Sequence, residues 1–118
     1  MANRQPIPKV VRESVRNKYG GKCAYCGCDL PERFHVDHLV PISRKYSTND
    51  ISNLMPACPQ CNNFKHTWSL EDFRRELQLQ VERARKHSVN FRNCERFGLI
   101  NITNKPIIFW FEKFGIQE

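Results

Sequence analysis

The chain opens with a polar segment that carries apolar residues at helical spacing. Val11, Val15 and Tyr19 fall at positions i, i+4 and i+8, which places them on one face of a helix. A pair of glycines follows directly at residues 20–21, and glycine is typical of the end of a helix. This pattern predicts one short helix before the glycines.

A longer helical pattern covers residues 69–87. Ser69 and Asp72 resemble a capping box, with aspartate where glutamate is usual. The apolar positions that follow recur every three or four residues: Leu70, Phe73, Leu77, Val81 and Ala84. We predict an amphipathic helix over residues 69–87 and interpret its basic residues as a solvated face, with contact to DNA as the alternative.

Other regions have the composition of β-strands. Residues 34–42 are rich in β-branched and aromatic side chains, and Pro41 would end a strand there. Leu54-Met55 indicate a second short strand, and a short helix is predicted over residues 62–66. Residues 98–102 and 106–111 flank a polar tripeptide and predict a hairpin near the C-terminus.

The composition narrows the class of protein. With 118 residues, of which 40% are hydrophobic, the chain fits one compact domain with a thin core, which a bound metal would help to stabilise. Nineteen lysines and arginines against 12 acidic residues give a net charge of +7. This excess favours a polyanionic partner such as nucleic acid or an acidic membrane, although a basic protein without such a partner remains the alternative.

The N-terminal residues and the longest apolar run indicate where in the cell the protein is expected. Residues 1–9 are polar and contain proline, which predicts no export signal. The longest apolar run, residues 107–111, is too short to cross a bilayer. We therefore expect a cytoplasmic, intracellular protein without a membrane partner, whose six cysteines are reduced thiols.

Two Cys-x-x-Cys pairs carry the strongest chemical signal. Cys23 and Cys26 form the first pair, and Cys58 and Cys61 form the second. Two intervening residues let a tight turn aim both sulfurs at one metal, so two pairs predict a tetrahedral zinc site of four thiolates. Such a closed site leaves no position for water and would be structural. Disulfides or unpaired buried cysteines are the alternative.

Two cysteines lie outside these pairs. Cys28 could replace Cys26 in a different turn geometry, so the first pair is not unique. Cys94 has no partner nearby in sequence, and we interpret it as a small buried apolar residue.

Between the cysteine pairs, Asp37 and His38 are adjacent at the end of a predicted strand. A neutral imidazole can accept a proton from water, and a carboxylate can hold a hard divalent cation. By itself this dipeptide is weak support for catalysis. Successive strand residues point to opposite faces, so both side chains can reach one site only if the strand ends or bulges there.

The ordered set of motifs is more specific. It reads Cys-x-x-Cys, Val-Asp-His-x-x-Pro, Asn-Leu and Cys-x-x-Cys-Asn-x-x-Lys, and it resembles the HNH nuclease family over roughly residues 7–68. The resemblance implies an α+β fold with a small β-β-α-metal core at residues 7–68, stapled by the four-cysteine zinc site. We expect a single domain over residues 1–118, with flanking helices and a C-terminal hairpin extension over residues 88–118.

The resemblance also implies roles for four residues. His38 corresponds to the general base that activates water, and Asp37 to the carboxylate that binds the catalytic cation. Asn53 corresponds to the central asparagine that braces the loop. Asn62 takes the last motif position, a second metal ligand that is histidine in many members. Oxygen ligands suit magnesium or manganese, with nickel as a further option.

Three nearby residues are candidates for contacts with phosphate or DNA. His35 shares a strand face with Asp37, and either packing or ligation is open to it. Lys65 would serve as a phosphate contact or as a surface charge at a helix end. Arg44 adds a basic side chain in a polar loop. His66 is a weaker candidate than Asn62 for the last motif position.

The resemblance implies a metal-dependent endonuclease that hydrolyses DNA phosphodiester bonds, by nicking or by cutting both strands. One alternative is a non-catalytic zinc module that binds nucleic acid or a protein, and another is an RNA-directed HNH nuclease. For residues 88–118, a hairpin that covers the zinc core is expected, with a homodimer or protein-partner interface as the alternative.

Overall fold

The computed structural model describes residues 6–115, which fall into two compact units. One unit contains the residues up to Leu70 together with those from Ile108 onward, and the other spans Glu71–Ile107. The sequence predicted a single domain over residues 1–118, of which residues 1–5 and 116–118 lie outside the described part. The single domain stays a prediction.

The first unit contains a two-stranded antiparallel sheet. β1 (His35–His38) pairs with β2 (Leu54–Ala57), and His38 lies opposite Leu54. β1 is shorter than the predicted strand over residues 34–42. After His38 the backbone leaves the ladder, because the amides of Leu39 and Val40 donate to the backbone and side-chain oxygens of Asn53 instead.

Short helices flank this sheet in the same unit. α1 (Lys9–Asn17) matches the predicted N-terminal helix and buries Val15. A 3-10 turn (Ile51–Asn53) leads into β2, and α2 (Pro59–Lys65) follows it. α2 begins earlier than the sequence predicted because the Cys58 sulfur accepts a backbone N–H of the first turn and proline fits the first helical position.

The C-terminal segment of the first unit packs on the turn between the first two cysteines. It contains α6 (Trp110–Lys113), whose first two backbone amides donate to the carbonyls of Tyr25 and Ala24. The ring of Phe109 is almost fully buried and meets the Tyr25 ring edge-on at 5.4 Å. These contacts bring residues distant in sequence into one core.

The second unit contains α3 (Leu70–Gln78), α4 (Gln80–His87) and α5 (Val89–Arg96). The sequence predicted one helix over residues 69–87, but the helix is interrupted at Leu79, where φ is −88° and ψ is 0°. That stretch contains neither glycine nor proline, so local propensity gave no signal for the break. Within residues 6–115, no helix has the length and apolar character needed to cross a bilayer.

The predicted C-terminal hairpin is wrong. Residues 98–102 and 106–111 form no strands, and α5 occupies the start of the predicted extension, where Ser88 caps its first turn. The backbone near Ile107 finds side-chain partners instead of a second strand: Arg74 donates to its carbonyl, and the Gln78 amide oxygen accepts its N–H. Side chains of α3 thus satisfy the groups that a hairpin would have paired.

Candidate active site and four-cysteine cluster

The sulfurs of Cys23, Cys26, Cys58 and Cys61 all lie within 4.8 Å of one another. The Sγ atoms of Cys26 and Cys58 are 3.8 Å apart. Zinc–sulfur bonds of about 2.3 Å in a tetrahedron place sulfurs about 3.8 Å apart, so the donor set has the dimensions of a zinc site. One turn supplies the first pair, and the N-terminus of α2 supplies the second.

Hydrogen bonds and burial shift the pKa values of the clustered cysteines in opposite directions. A hydrogen bond with Cys61 and backbone N–H donors, among them that of Cys58, lower the pKa of Cys23 to about 4. The same hydrogen bond, together with burial, raises the pKa of the Cys61 thiol. Deprotonation of Cys23 is therefore favoured, and deprotonation of Cys61 is opposed. A divalent cation is the group that would stabilise all four cysteines as thiolates.

The two remaining cysteines are not among these four. Cys28 is exposed, with its thiol hydrogen bonded to Cys26 and Cys58, whereas Cys94 is half-buried in α5. Gly27 separates Cys28 from the first pair with a φ of +80°, a conformation that disfavours any side chain. A Cβ at Gly27 would also lie 3.3 Å from the Trp110 ring, so the turn geometry requires glycine.

A cavity of about 250 Å³ adjoins this scaffold. The chemically relevant residues that line it are His35, Asp37, His38, Asn62, Asn63 and His66. Asp37 and His38 reach the same cavity although they are adjacent, because His38 is the last residue of β1 and the alternation of faces stops there. The structure thereby brings together three of the four residues that the sequence assigned to catalysis.

The His38 ring is buried and hydrogen bonded to a residue that the sequence did not single out. Its Nε2 lies 2.8 Å from Oδ1 of Asn49. An amide oxygen only accepts, so Nε2 carries the hydrogen and Nδ1 of the neutral ring keeps its lone pair. Asn49 lies in a polar loop among similar residues, and its spacing from His38 offers no motif that could have identified it.

Asn53, the fourth predicted residue, holds the loop that follows β1. Its Oδ1 accepts the Val40 N–H at 2.8 Å, and its Nδ2 donates to the Thr48 carbonyl at 2.8 Å. A longer contact of 3.4 Å reaches the Ser47 hydroxyl. These bonds span the loop that carries Asn49, so Asn53 and His38 are connected through the loop backbone.

Asp37 is held by two buried donors, both on Oδ2. The Tyr25 hydroxyl donates at 2.5 Å, and the Lys65 ammonium lies at 3.0 Å. Lys65 also donates to the His38 carbonyl at 3.0 Å, and its side chain is fully buried. Burial and the adjacent Asp37 carboxylate raise the pKa of Tyr25 well above its usual value, so its hydroxyl stays protonated and can donate.

These contacts correct the predictions for Lys65. A fully buried ammonium with two protein acceptors can be neither a phosphate contact nor a helix-end surface charge. The sequence also missed Tyr25, whose place inside the first Cys-x-x-Cys turn gave no sign that it would reach Asp37.

The other candidates differ in position. Asn62 is half-buried on the cavity wall, and His35 is exposed at its edge. His66 also lines the cavity, with a φ of 47° just past α2. Arg44 lies on the exposed loop after β1 and is not among the residues that line the cavity.

The model of the HNH endonuclease family matches residues 23–67. This segment is similar to the HNH endonuclease family. It contains both cysteine pairs, β1, β2 and α2, and its first and last parts are joined by the four-cysteine cluster.

Two relatives of the HNH segment are informative. The SPbeta prophage-derived protein YoqL of Bacillus subtilis (strain 168), whose name describes it as an HNH endonuclease, is 30% identical over 79 residues, covering 57% of this chain and 33% of YoqL. The CRISPR-associated endonuclease Cas9 of Corynebacterium diphtheriae is 40% identical over 45 residues, covering 37% of this chain and 4% of Cas9. The chain therefore spans a third or less of these relatives. No solved structure matches it significantly.

Proposed function

We propose that the chain is a divalent-metal-dependent endonuclease that hydrolyses phosphodiester bonds in DNA. The observation that carries the proposal is the meeting of Asp37, His38 and Asn62 on one open cavity within a segment similar to the HNH family. The β-β-α-metal arrangement is the corresponding fold proposal, with β1, β2 and α2 as its parts.

Two metals have separate places in this proposal. Cys23, Cys26, Cys58 and Cys61 would hold a structural zinc, since their sulfurs have the spacing of a closed tetrahedral site. The catalytic cation would be held by oxygen donors, which suit magnesium or manganese, with nickel as a further candidate. The Asp37 carboxylate supplies one such donor, and the Asn62 side chain on the same cavity supplies the other.

The chain's own residues account for the proton transfer. His38 would accept the proton of the attacking water at Nδ1, because the hydrogen bond to Asn49 keeps the other ring nitrogen protonated. Asn53 would keep the loop that carries Asn49 in place. A divalent cation bound beside them would stabilise the negative charge that develops on the phosphate.

DNA is the proposed substrate class, and two properties support it. The net charge of +7 favours a polyanion, and the cavity is open to solvent, as a site for a polymer must be. His35 at the cavity edge is the proposed phosphate contact from the chain, in place of the buried Lys65.

The test is cleavage of supercoiled plasmid with Mg²⁺, Mn²⁺ or Ni²⁺, with His38→Ala as the variant. Loss of a general base is expected to lower the rate about 10²–10⁴-fold. His87→Ala is the matched control and should cleave as the wild type does, because His87 is exposed at the end of α4 and is not among the residues that line the cavity.

The cleavage products distinguish nicking from double-strand cleavage, and a second substrate distinguishes DNA from RNA as the target. Linear product formed without a nicked intermediate would indicate that two copies act together, whereas accumulating nicked circles would indicate single-strand cleavage. A folded RNA of equal length is run in parallel. Intact plasmid under all three metals would refute the DNA nuclease, and cleavage of the RNA alone would replace DNA with RNA as the substrate.

A further inference from the structure

Tyr25 and Lys65 lie outside the set of residues that handle water or phosphate in the proposed reaction, yet both bond to Asp37. The Tyr25 hydroxyl and the Lys65 ammonium meet at a single atom, Oδ2, at 2.5 Å and 3.0 Å. Neither side chain is accessible from the cavity, since Tyr25 is 3% exposed and Lys65 is 0% exposed. Tyr25 therefore acts on the chemistry through the carboxylate, and Lys65 acts through the carboxylate and the His38 carbonyl.

The two oxygens of Asp37 are consequently not equivalent. Both contacts lie on Oδ2, and among the described residues no buried side-chain nitrogen or oxygen lacks a hydrogen-bond partner. Oδ1 is therefore the oxygen that reaches the cavity that Asp37 lines. With Oδ2 fixed from two sides, the carboxylate cannot turn to exchange its oxygens without breaking both bonds.

Lys65 also fixes the distance between two elements. Its ammonium bridges Asp37 and the His38 carbonyl on β1, while its backbone belongs to α2. Asn62 lies three residues earlier on α2, and residues at that spacing share a helix face. One buried side chain therefore sets how β1, which carries Asp37, faces the part of α2 that carries Asn62.

Tyr25 is supported from the opposite side by the C-terminal segment. Its ring meets Phe109 edge-on at 5.4 Å and Phe111 at 6.2 Å, and its carbonyl accepts the Trp110 N–H. The backbone of Tyr25 lies within the first cysteine turn. The four-cysteine cluster and the C-terminal segment thus both determine where the hydroxyl points.

We propose that Tyr25 and Lys65 are positioning residues that hold Oδ2 of Asp37 so that Oδ1 is presented, in a fixed direction, to the divalent cation of the active site. The proposal rests on the proposed function for the existence of that cation. It assigns a task to the segment around Phe109, which lies outside the HNH match at residues 23–67.

The experiment uses Tyr25→Phe in the zinc-loaded protein, because this change removes only the hydroxyl. Binding of Mn²⁺ is measured by the loss of the free-ion electron paramagnetic resonance signal, which requires no catalysis. Loss of a hydrogen bond to a metal-binding carboxylate typically weakens metal binding 10–100-fold, and we expect the Mn²⁺ dissociation constant to rise about 10-fold. In plasmid cleavage, kcat at fixed Mn²⁺ should fall while KM for DNA stays unchanged.

Tyr19→Phe is the matched control. Its hydroxyl lies 3.9 Å from the Met55 sulfur and makes no bond to Asp37, so Mn²⁺ affinity and kcat should stay within about twofold of wild type. Zinc content and thermal unfolding of both variants are measured to establish that the fold is retained. The control separates loss of the Tyr25 hydroxyl from a general effect of removing a tyrosine hydroxyl in this unit.

Mn²⁺ binding by Tyr25→Phe equal to wild type would overturn the proposal, as would equal weakening of Mn²⁺ binding by Tyr19→Phe. A rise in KM for DNA without a change in Mn²⁺ affinity would also overturn it, because that pattern indicates a substrate contact. If wild type binds Mn²⁺ but cleaves no nucleic acid, the proposed function fails, whereas a 10-fold weaker Mn²⁺ affinity of Tyr25→Phe would still support the positioning role.

Discussion

The four-cysteine cluster and the cavity beside it share α2, but they are built differently. The cluster uses four identical donors, and its hydrogen bonds run both within one pair, such as the Cys61 N–H to the Cys58 sulfur, and between the pairs, such as the Cys58 N–H to the Cys23 sulfur. The cavity uses a carboxylate, an imidazole and an amide, and each of Asp37 and His38 is held by a partner from another element. The spacing within each Cys-x-x-Cys pair can be read from the sequence, whereas the partners of Asp37 and His38 are set by a buried tertiary network.

The two sites also treat buried charge differently. The cysteines crowd thiols together, so that the pKa of Cys23 falls to about 4 while the pKa of Cys61 rises, and only a cation would stabilise the full set of thiolates. Asp37 already has a buried cation in Lys65. The cluster is therefore expected to depend on zinc for its fold, whereas the cavity is expected to keep its shape without a second cation as long as zinc is bound.

The largest effect should follow from breaking the cluster with Cys58→Ser. Structural zinc contributes roughly 10–16 kcal/mol in small zinc domains, which is comparable to or above the stability of a typical domain. We expect the variant to lose zinc and the first unit to unfold, as measured by metal analysis and near-ultraviolet circular dichroism. Cys94→Ser, in α5, is the control and should keep both the bound zinc and the fold of the first unit. Retention of the fold by Cys58→Ser would show that the cluster is dispensable.

Breaking the buried pair of Lys65 and Asp37 should lower the free energy of unfolding by less. Lys65→Met leaves Asp37 buried without its cation, and such a change typically lowers the free energy of unfolding by about 3–5 kcal/mol. Urea unfolding of the zinc-loaded protein measures this loss. Adding Asp37→Asn should restore part of the stability, because the amide needs no cation. Lys22→Met removes one partner of the exposed pair with Asp29 and should leave the unfolding midpoint unchanged. Equal midpoints for Lys65→Met and wild type would contradict the compensation argument.

A smaller effect is expected at Asn53. Asn53→Ala removes the bonds that span the loop after β1 and leaves the Val40 N–H without its acceptor, at a cost of about 1–3 kcal/mol. Limited proteolysis should then cut the loop faster, and plasmid cleavage should slow. Asn90→Ala, exposed on α5, should change neither reading. Unchanged proteolysis of Asn53→Ala would mean that the loop is held by other contacts.

The smallest effect is expected at Cys28, which lies on the surface beside the cluster. Cys28→Ser should bind one zinc per chain with affinity within about twofold of wild type, because the four other sulfurs already complete a tetrahedron. A chromophoric chelator in competition measures this affinity. A 10-fold or greater loss would place Cys28 in the ligand set and revive the alternative in which it replaces Cys26.

Sequence patterns predicted the parts that depend on neighbouring residues. The spacing of cysteines predicted the cluster, and helical periodicity predicted α1. The cap at Cys58 with Pro59 moved the start of α2, but only by a few residues from the expected place. The hairpin failed because strand-like composition at residues 106–111 does not reveal that Arg74 and Gln78 occupy the backbone groups a partner strand would need.

The sequence by itself determined the cysteine turns and the order of the motif residues, because turn geometry and helical spacing act over a few residues. Only the tertiary structure decided which side chains surround Asp37 and His38. Lys65 is buried against Asp37, Tyr25 reaches the same carboxylate, and Asn49 bonds to the His38 ring. Those pairings depend on burial, and burial is set by how the sheet, α2 and the C-terminal segment pack together rather than by any local pattern.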